Sequence, residues 1–381
     1  MPLSSPPLRI HMVSLQVPFP PDYGGVIDIY YKLRALKSAG YEVLLHTYQY
    51  DRQQAPQLDQ VADRVYYYPR NRSFARQFSV DPYIVSSRQS SQLLTDLLAD
   101  DAPILFEGIH CCAHLADPRL ASRCKLVRMH NVEHEYYDGL ARKATGWHRL
   151  YYRIEATRLK RYEAILAHAD AILAITESDR CYFASKYPQV ATLWLPAFQA
   201  HDRVAPLSPK GDYMLYHGNL SVEENIEAAQ YLLQQVVPST PGTSWVFAGK
   251  NPADRLARQI AATPGARLVA NPSDEEMERL IGEAAANVLI TFQPTGLKLK
   301  LLHALYTGGH CIVNSKMLVG TGLDRACLVA DTTQALSHAV ATVLKSPFDH
   351  QARERRIRLL EPYDSARNIA RLTRLLTEKT L

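Results

Sequence analysis

The stretch Leu8–Tyr50, LRIHMVSLQVPFPPDYGGVIDIYYKLRALKSAGYEVLLHTYQY, decides the fold. LRIHMVSL reads as a buried strand and QVPFPPDYGG as a loop. The segment from about Val26 to Ser38 reads as a helix that Gly40 ends, and EVLLHTYQY as the next strand. A strand, a crossover helix and a second strand make a β-α-β unit with parallel strands. Short apolar runs return at RVYYYP, APILFEG, CKLVRMH and ADAILAIT, separated by helical or loop segments, so the first half of the chain is expected to form a doubly wound sheet.

The run TLWLPAFQAHDRVAPLSPKGDYMLYHG breaks this pattern with Pro196, Pro206 and Pro209, which places an interdomain linker around residues 195–211. A second α/β set follows: YMLYHG, a helix after Val222, SWVFAG, ARLVA, a helix from Ser273, ANVLITF, another helix and HCIVN. The expected class is α/β, with two doubly wound Rossmann-like domains facing a cleft, spanning residues 1–200 and 201–360. Such sheets take their ligands outside the carboxyl ends of the strands. The last segment, YDSARNIARLTRLL, reads as an amphipathic helix within 361–381.

Composition narrows the class. In 381 residues, 47% apolar and 21% charged side chains describe a globular enzyme rather than a disordered chain. No run approaches the roughly 18 apolar residues of a membrane span. The start MPLSSPPLRIHMVSL lacks the charged and apolar regions of a signal peptide. Six cysteines without CxxC spacing suit a reduced, cytoplasmic protein. A formal charge of +5 fits an acidic substrate or an anionic membrane surface, while the scatter of lysines and arginines argues against nucleic acid.

Candidate chemistry sits after strands and before helices. In TGLKLKLLHALYTGGHCIV, Thr295–Val313, Thr295 reads as an N-cap and Gly308–Gly309 as the stop. Lys298 and Lys300 fall in the first two turns, where the helix dipole disfavours cations. Together with the amides of Gly296 and Leu297 they suit an anion. Lys300 and His303 lie about 60° apart on the helix, whereas Lys298 points toward the apolar arc of Leu297, Leu301, Leu302 and Leu305. Gly24 and Gly25 end the first loop and let backbone approach a ligand. His130 and Asn131 follow the strand CKLVRM. Glu107 and His110 follow APILF, where a carboxylate–imidazole pair could line an acceptor pocket and handle a hydroxyl proton. The cluster HCCAH, His110–His114, has the spacing of two metal ligands but no evident third, so no metal is assigned. Trp147–Leu166 is basic and aromatic, which suits peripheral contact with an anionic membrane.

Taken in order, the Gly24–Gly25 loop, RMHNVEHEYY, AHADAILAITESDRCYF, YHGNLSVEEN, ITFQPTGLKLKLLHALYTGGHCIV and EPYDSARN resemble the retaining glycosyltransferases of the GT-B fold, in the group called family four. The resemblance spans nearly the whole chain. It implies transfer of a sugar from a nucleotide diphosphate donor to a hydroxyl acceptor, a glycan or lipid-linked glycan, without metal or other cofactor. It implies a cytoplasmic protein, peripheral to the inner face of the membrane if its acceptor is lipid-linked. The carboxyl-terminal domain would grip the donor, the amino-terminal domain would present the acceptor, and helix 361–381 would pack back on the first domain.

Residue by residue, the resemblance puts Lys300 on the diphosphate, His130 on the donor sugar, Gly24 and Gly25 near phosphates and acceptor, and His303 where a ribose-binding glutamate usually stands. The chain departs from the group twice. The paired glutamates fall at Thr295 and His303, and the phosphate motif G-R-L…K appears as Gly218–Asn219–Leu220…Glu224. Gly218 and Asn219 remain donor-site candidates, with more of the grip expected from Lys298 and Lys300. The missing groups motivate a rival, a catalytically silent protein that binds a nucleotide sugar or serves as a partner subunit. A sugar-nucleotide epimerase fits the motif order less well. A dinucleotide oxidoreductase lacks its G-x-G-x-x-G after the first strand.

Overall fold

A computed structural model describes residues 8–207, 211–293 and 298–377. The chain divides into two compact units, Met1–Gln199 with Tyr363–Leu381, and Ala200–Pro362.

The first unit is built on β1 (Arg9–Ser14), β2 (Glu42–Gln49), β3 (Arg64–Pro69), β4 (Ile104–Glu107), β5 (Lys125–Met129), β6 (Ala171–Ala174) and β7 (Ala191–Trp194). These form one sheet in the order β3-β2-β1-β4-β5-β6-β7, every pairing parallel. Strand alternation divides their side chains between two cores. Ile10, Met12, Leu105 and Leu126 enter one, while Val13, Phe106, Val127 and Met129 enter the other. Burial on both faces explains why these strands read as continuous apolar runs.

Helix α1 (Gly24–Ser38) packs Ile29, Leu33 and Leu36 into the first of these cores. It begins at the two glycines, two residues earlier than the sequence suggested. Helices α2 (Glu133–Lys143) and α3 (Gly146–Tyr162) follow β5.

The second unit carries β8 (Tyr213–His217), β9 (Ser244–Gly249), β10 (Ala266–Ala270), β11 (Ala286–Leu289), β12 (His310–Val313) and β13 (Leu328–Val329). The order is β10-β9-β8-β11-β12-β13, again parallel throughout. Its relevant helices are α4 (Glu223–Tyr231), α5 (Asp274–Glu283) and α6 (Leu299–Thr307).

The last helix, α7 (Ser365–Thr377), belongs to the first unit. Its Ile369 and Leu372 are buried in the core that holds Ile10 and Ile29, and Tyr41 donates to Thr373 Oγ1 at 2.7 Å. In each sheet the chain leaves its first strand in one direction and returns on the other side. The switch points lie between β1 and β4 in one unit and between β8 and β11 in the other. Loops at the carboxyl ends of those strands are where such sheets hold ligands.

Among the described residues, no helix is long and apolar enough to cross a membrane.

Candidate functional site

In the first unit, alternation sends Glu107 and Arg128 to the face that carries Leu105 and Leu126, which is the face covered by α1. There they meet Asp28 and Lys32, one helical turn apart. Lys32 Nζ donates to Asp28 Oδ2 at 2.9 Å and to the two Glu107 oxygens at 2.8 and 3.0 Å. Arg128 forks onto Asp28 with two bonds of 3.1 Å. The same guanidinium donates to the carbonyls of Leu195 and Pro196, and the Phe198 amide donates to Asp28 Oδ1 at 2.8 Å.

All four charged side chains are buried. Burial alone would push both carboxyls up. Arg128 and Lys32 outweigh it at Asp28, and Lys32 with His130 at Glu107, so both stay below the usual carboxylate range. Two anions face two cations, so the network is charge-balanced.

His130 attaches to this network through Nε2, 3.2 Å from Glu107 Oε2. A carboxylate there selects the Nε2–H tautomer and leaves Nδ1 with its lone pair. Nδ1 is buried and has no hydrogen-bond partner. A Cβ on Gly25 would sit 4.0 Å from it, in ordinary contact.

Asn131 bonds the side chain of Glu133, a carboxyl that burial, reinforced by Asp179, pushes up to about 7. The pairing expected between Glu107 and His110 is corrected: Glu107 serves His130 and Lys32. Gly108, at φ 84°, turns the chain after β4 and puts His110 in a separate 3₁₀ turn. There burial holds the imidazole well below its ordinary value, with Nδ1 unpaired. Cys111 and Cys112 of the HCCAH run are buried and His114 Nε2 is bonded to the Ser90 carbonyl.

In the second unit, Gly218 and Asn219 follow β8. The Gly218 carbonyl lies so close to Gly249 that a Cβ there would be 1.7 Å from its oxygen, so only glycine fits. Asn219 Oδ1 accepts from the Ser221 amide at 3.1 Å, which fixes the turn into α4. The first turn of α4 then presents Glu224 and Asn225 to the lysines. Lys298 Nζ pairs with Glu224 Oε1 at 2.8 Å, and Lys300 Nζ donates to Asn225 Oδ1 at 2.8 Å while lying 5.2 Å from the Tyr216 ring centroid.

The direction expected for Lys298 is therefore corrected. Lys298 precedes α6, with extended backbone at φ −86°, ψ 92°, so a helical wheel does not govern it. Thr295, Gly296 and Leu297, with the amides expected to bind an anion, lie outside the described residues. Burial lowers Lys300 to about 8, with Lys298 adding to the effect and Glu224 opposing it.

His303 Nε2 meets Glu278 Oε1 at 2.7 Å and its ring stacks on His201, centroids 4.7 Å apart. Glu278 also accepts from Thr307 at 2.9 Å.

Two groups of described side chains bring ligating atoms within 4.8 Å of one another: Asp28, Glu107 and His130, and His201, Glu278 and His303. In the first, the Lys32 ammonium already bonds both carboxylates and stands where a cation would. The sequence does not single out Asp28, Lys32, Arg128, Asn225 or Glu278, and it marks Glu224 only as standing where a motif lysine is missing. The available signal was charge at positions the strand or helix period assigns to the core, as with Arg128 in KLVRM.

No family model matches the sequence. The chain is 27% identical over 342 residues to an uncharacterized 44.6 kDa protein in the cps region of Klebsiella pneumoniae, covering 83% of this chain and 85% of that protein. Among solved structures, sucrose-phosphate synthase from Thermosynechococcus elongatus aligns with a TM-score of 0.67 at 14% identity, covering 98% of this chain and 100% of that one. TarM aligns at 0.67 and 10% identity, covering 97% of this chain and 98% of that one. HepE from Anabaena, in complex with UDP and glucose, aligns at 0.64 and 12% identity, covering 97% and 100%. These likenesses show the fold, the two-domain α/β architecture of GT-B glycosyltransferases.

Proposed function

We propose that the protein is a glycosyltransferase that moves a sugar from a nucleotide diphosphate donor to a hydroxyl acceptor, a glycan or lipid-linked glycan, with retention. The observation that carries this reading is the charge surplus at α6. Lys298 is matched by Glu224, but Lys300 has a neutral amide as its hydrogen-bond partner, in a half-buried position at a helix start and a switch point. A diphosphate supplies the missing anion, and the helix dipole adds to the attraction. HepE with UDP and glucose, and a trehalose-phosphate synthase with glucose-6-phosphate, support a nucleotide sugar as the ligand class and UDP as the first nucleotide to try.

On this reading Lys300 and Lys298 stabilise the charge that develops on the leaving diphosphate. That diphosphate takes the acceptor proton on the same face of the sugar. His130, held by Glu107, accepts a hydrogen bond from a sugar hydroxyl at Nδ1 and orients the ring. His303 reaches a ribose hydroxyl, and its bond to Glu278 selects the tautomer that does so. Asn131 and His110 border the acceptor side.

The test is a thermal-shift screen of nucleoside diphosphates and nucleotide sugars, followed by donor turnover with and without acceptors. A ligand at 100 times its Kd adds about 2.7 kcal/mol of stability. If no nucleotide sugar stabilises the protein, the reading fails. If a donor binds but is neither hydrolysed nor transferred, the protein is a silent binder instead.

A further inference from the structure

We propose that the outer face of α3, with the Phe74–Val80 segment beside it, docks the protein on an anionic phospholipid bilayer. Helix α3 buries Glu155, Ala156 and Leu159 on its inner side. At the helical period, Trp147, Leu150 and Ile154 share the opposite side, spaced as i, i+3 and i+7. The outward face of a helix in a globular protein is ordinarily polar; this one leaves Trp147 76%, Leu150 47% and Ile154 42% exposed.

A second apolar group stands next to it. Phe74 and Phe78, each 70% exposed, meet edge to face with centroids 5.1 Å apart, and Val80 is 94% exposed. Arg158 of α3 donates to the Gln77 carbonyl at 2.8 Å, and the Tyr83 amide donates to Glu155 Oε2 at 2.7 Å. These two bonds hold the segment against the helix, so its phenylalanines are presented by a fixed turn.

Charge selects the occupant. From Arg142 to Arg161 the sequence carries lysines and arginines throughout, including the exposed Arg149 and Arg153, and its sole carboxylate, Glu155, is buried and paired with Arg158. The segment 72–80 adds Arg76 and no acid, while its Arg72 pairs with Asp51 at 3.1 Å. Two copies of such a surface would set like charges against each other, which disfavours self-association. Apolar and aromatic side chains among basic ones match an interface where acyl chains lie beneath anionic headgroups.

The inference does not depend on transferase activity and is tested without it. The full chain is sedimented with vesicles of phosphatidylcholine, with and without phosphatidylglycerol. Binding is expected to the anionic vesicles, at least about tenfold weaker to the neutral ones, and to weaken as salt rises. Arg149→Gln with Arg153→Gln should weaken it about 25-fold, at about fivefold per arginine. Phe74→Ser with Phe78→Ser should weaken it about tenfold, by removing apolar surface. All four positions are exposed, so circular dichroism and melting of the variants should match wild type. Wild type that ignores anionic vesicles, or variants that bind them undiminished, would overturn the proposal. So would sedimentation equilibrium showing a stable dimer that both double variants dissolve, since the face would then be a contact between copies.

Discussion

The two units place candidate residues at equivalent points of similar sheets, yet neutralise them differently. In the first, Asp28 and Glu107 are buried against Lys32 and Arg128, two charges facing two, and His130 hangs from the balanced set. In the second, partly buried Lys298 and Lys300 face one carboxylate, Glu224, and one amide, Asn225. A balanced, dry network is rigid and exerts little net pull on an ion, so it suits the orientation of neutral hydroxyls. An unbalanced, wetter one has positive charge to spare and suits an anion. If the units divide the labour of a transferase, this is the division their electrostatics favour.

Removing the last helix should separate the units most forcefully. Ending the chain after Glu361 deletes Tyr363, Ile369 and Leu372, all buried in the first unit. At about 1.5–3 kcal/mol for each, the loss is about 5–9 kcal/mol, comparable with the whole stability of a domain. Calorimetry of the truncated chain should show the first unit's transition lost or much lowered. Nucleoside diphosphate binding should persist, because residues 218–225 and 298–303 lie in the other unit. An unchanged melting profile would show that α7 contributes nothing to the first unit's core.

The buried network gives the next largest effect. Lys32→Met leaves Asp28 and Glu107 sharing one cation in the interior, and such a loss costs about 3–5 kcal/mol. Adding Glu107→Gln restores the balance of Asp28 with Arg128, so the double variant should recover more than half of that loss in urea unfolding. If the two losses simply add, charge balance is not what holds these groups together.

These two variants also mark what the sequence could and could not disclose. The sheets were legible because strands buried on both faces read as apolar runs, and because glycines and prolines punctuate them. The carboxyl-end positions of Gly25, His130 and Gly218 followed from that topology. Side-chain partners did not. Lys32 and Glu107 are 75 positions apart, and Lys298 and Glu224 are 74 apart, so no local period connects them. Closeness in the chain suggests pairing Glu107 with His110, whereas the pleat turns Glu107 toward α1. A helical wheel turns Lys298 toward the apolar arc, but the described helix begins one residue later.

In the second unit, Lys300→Ala should weaken nucleoside diphosphate binding by about 1–3 kcal/mol, the range for a charge-assisted contact, and leave the fold intact. The pH dependence sharpens this. With the free ammonium lowered to about 8, affinity should fall as pH rises through that value, because the unliganded lysine loses its proton there while a bound diphosphate favours the charged form. Lys300→Ala should abolish the fall. Binding as tight as wild type, or an unaltered pH profile, would remove Lys300 from the phosphate site.

The smallest expected effect is that of a chelator, and it tests whether lysines alone supply the charge. In the first unit the Lys32 ammonium bridges Asp28 and Glu107, so a metal there would have to displace a buried ion pair. In the second unit Lys298 and Lys300 already supply cationic charge beside α6, and Glu278 is engaged by His303 and Thr307. On the proposed reading, sugar transfer should therefore be unchanged, within about 20%, by excess EDTA, as the positive charge needed at the diphosphate comes from side chains and a helix end. The His201, Glu278 and His303 group is where this expectation can break, since two imidazoles and a carboxylate are an ordinary ligand set for a transition metal. Activity that vanishes with EDTA, returns with a divalent cation and is lost in Glu278→Gln would show that a metal, and not the lysine surplus, neutralises the donor.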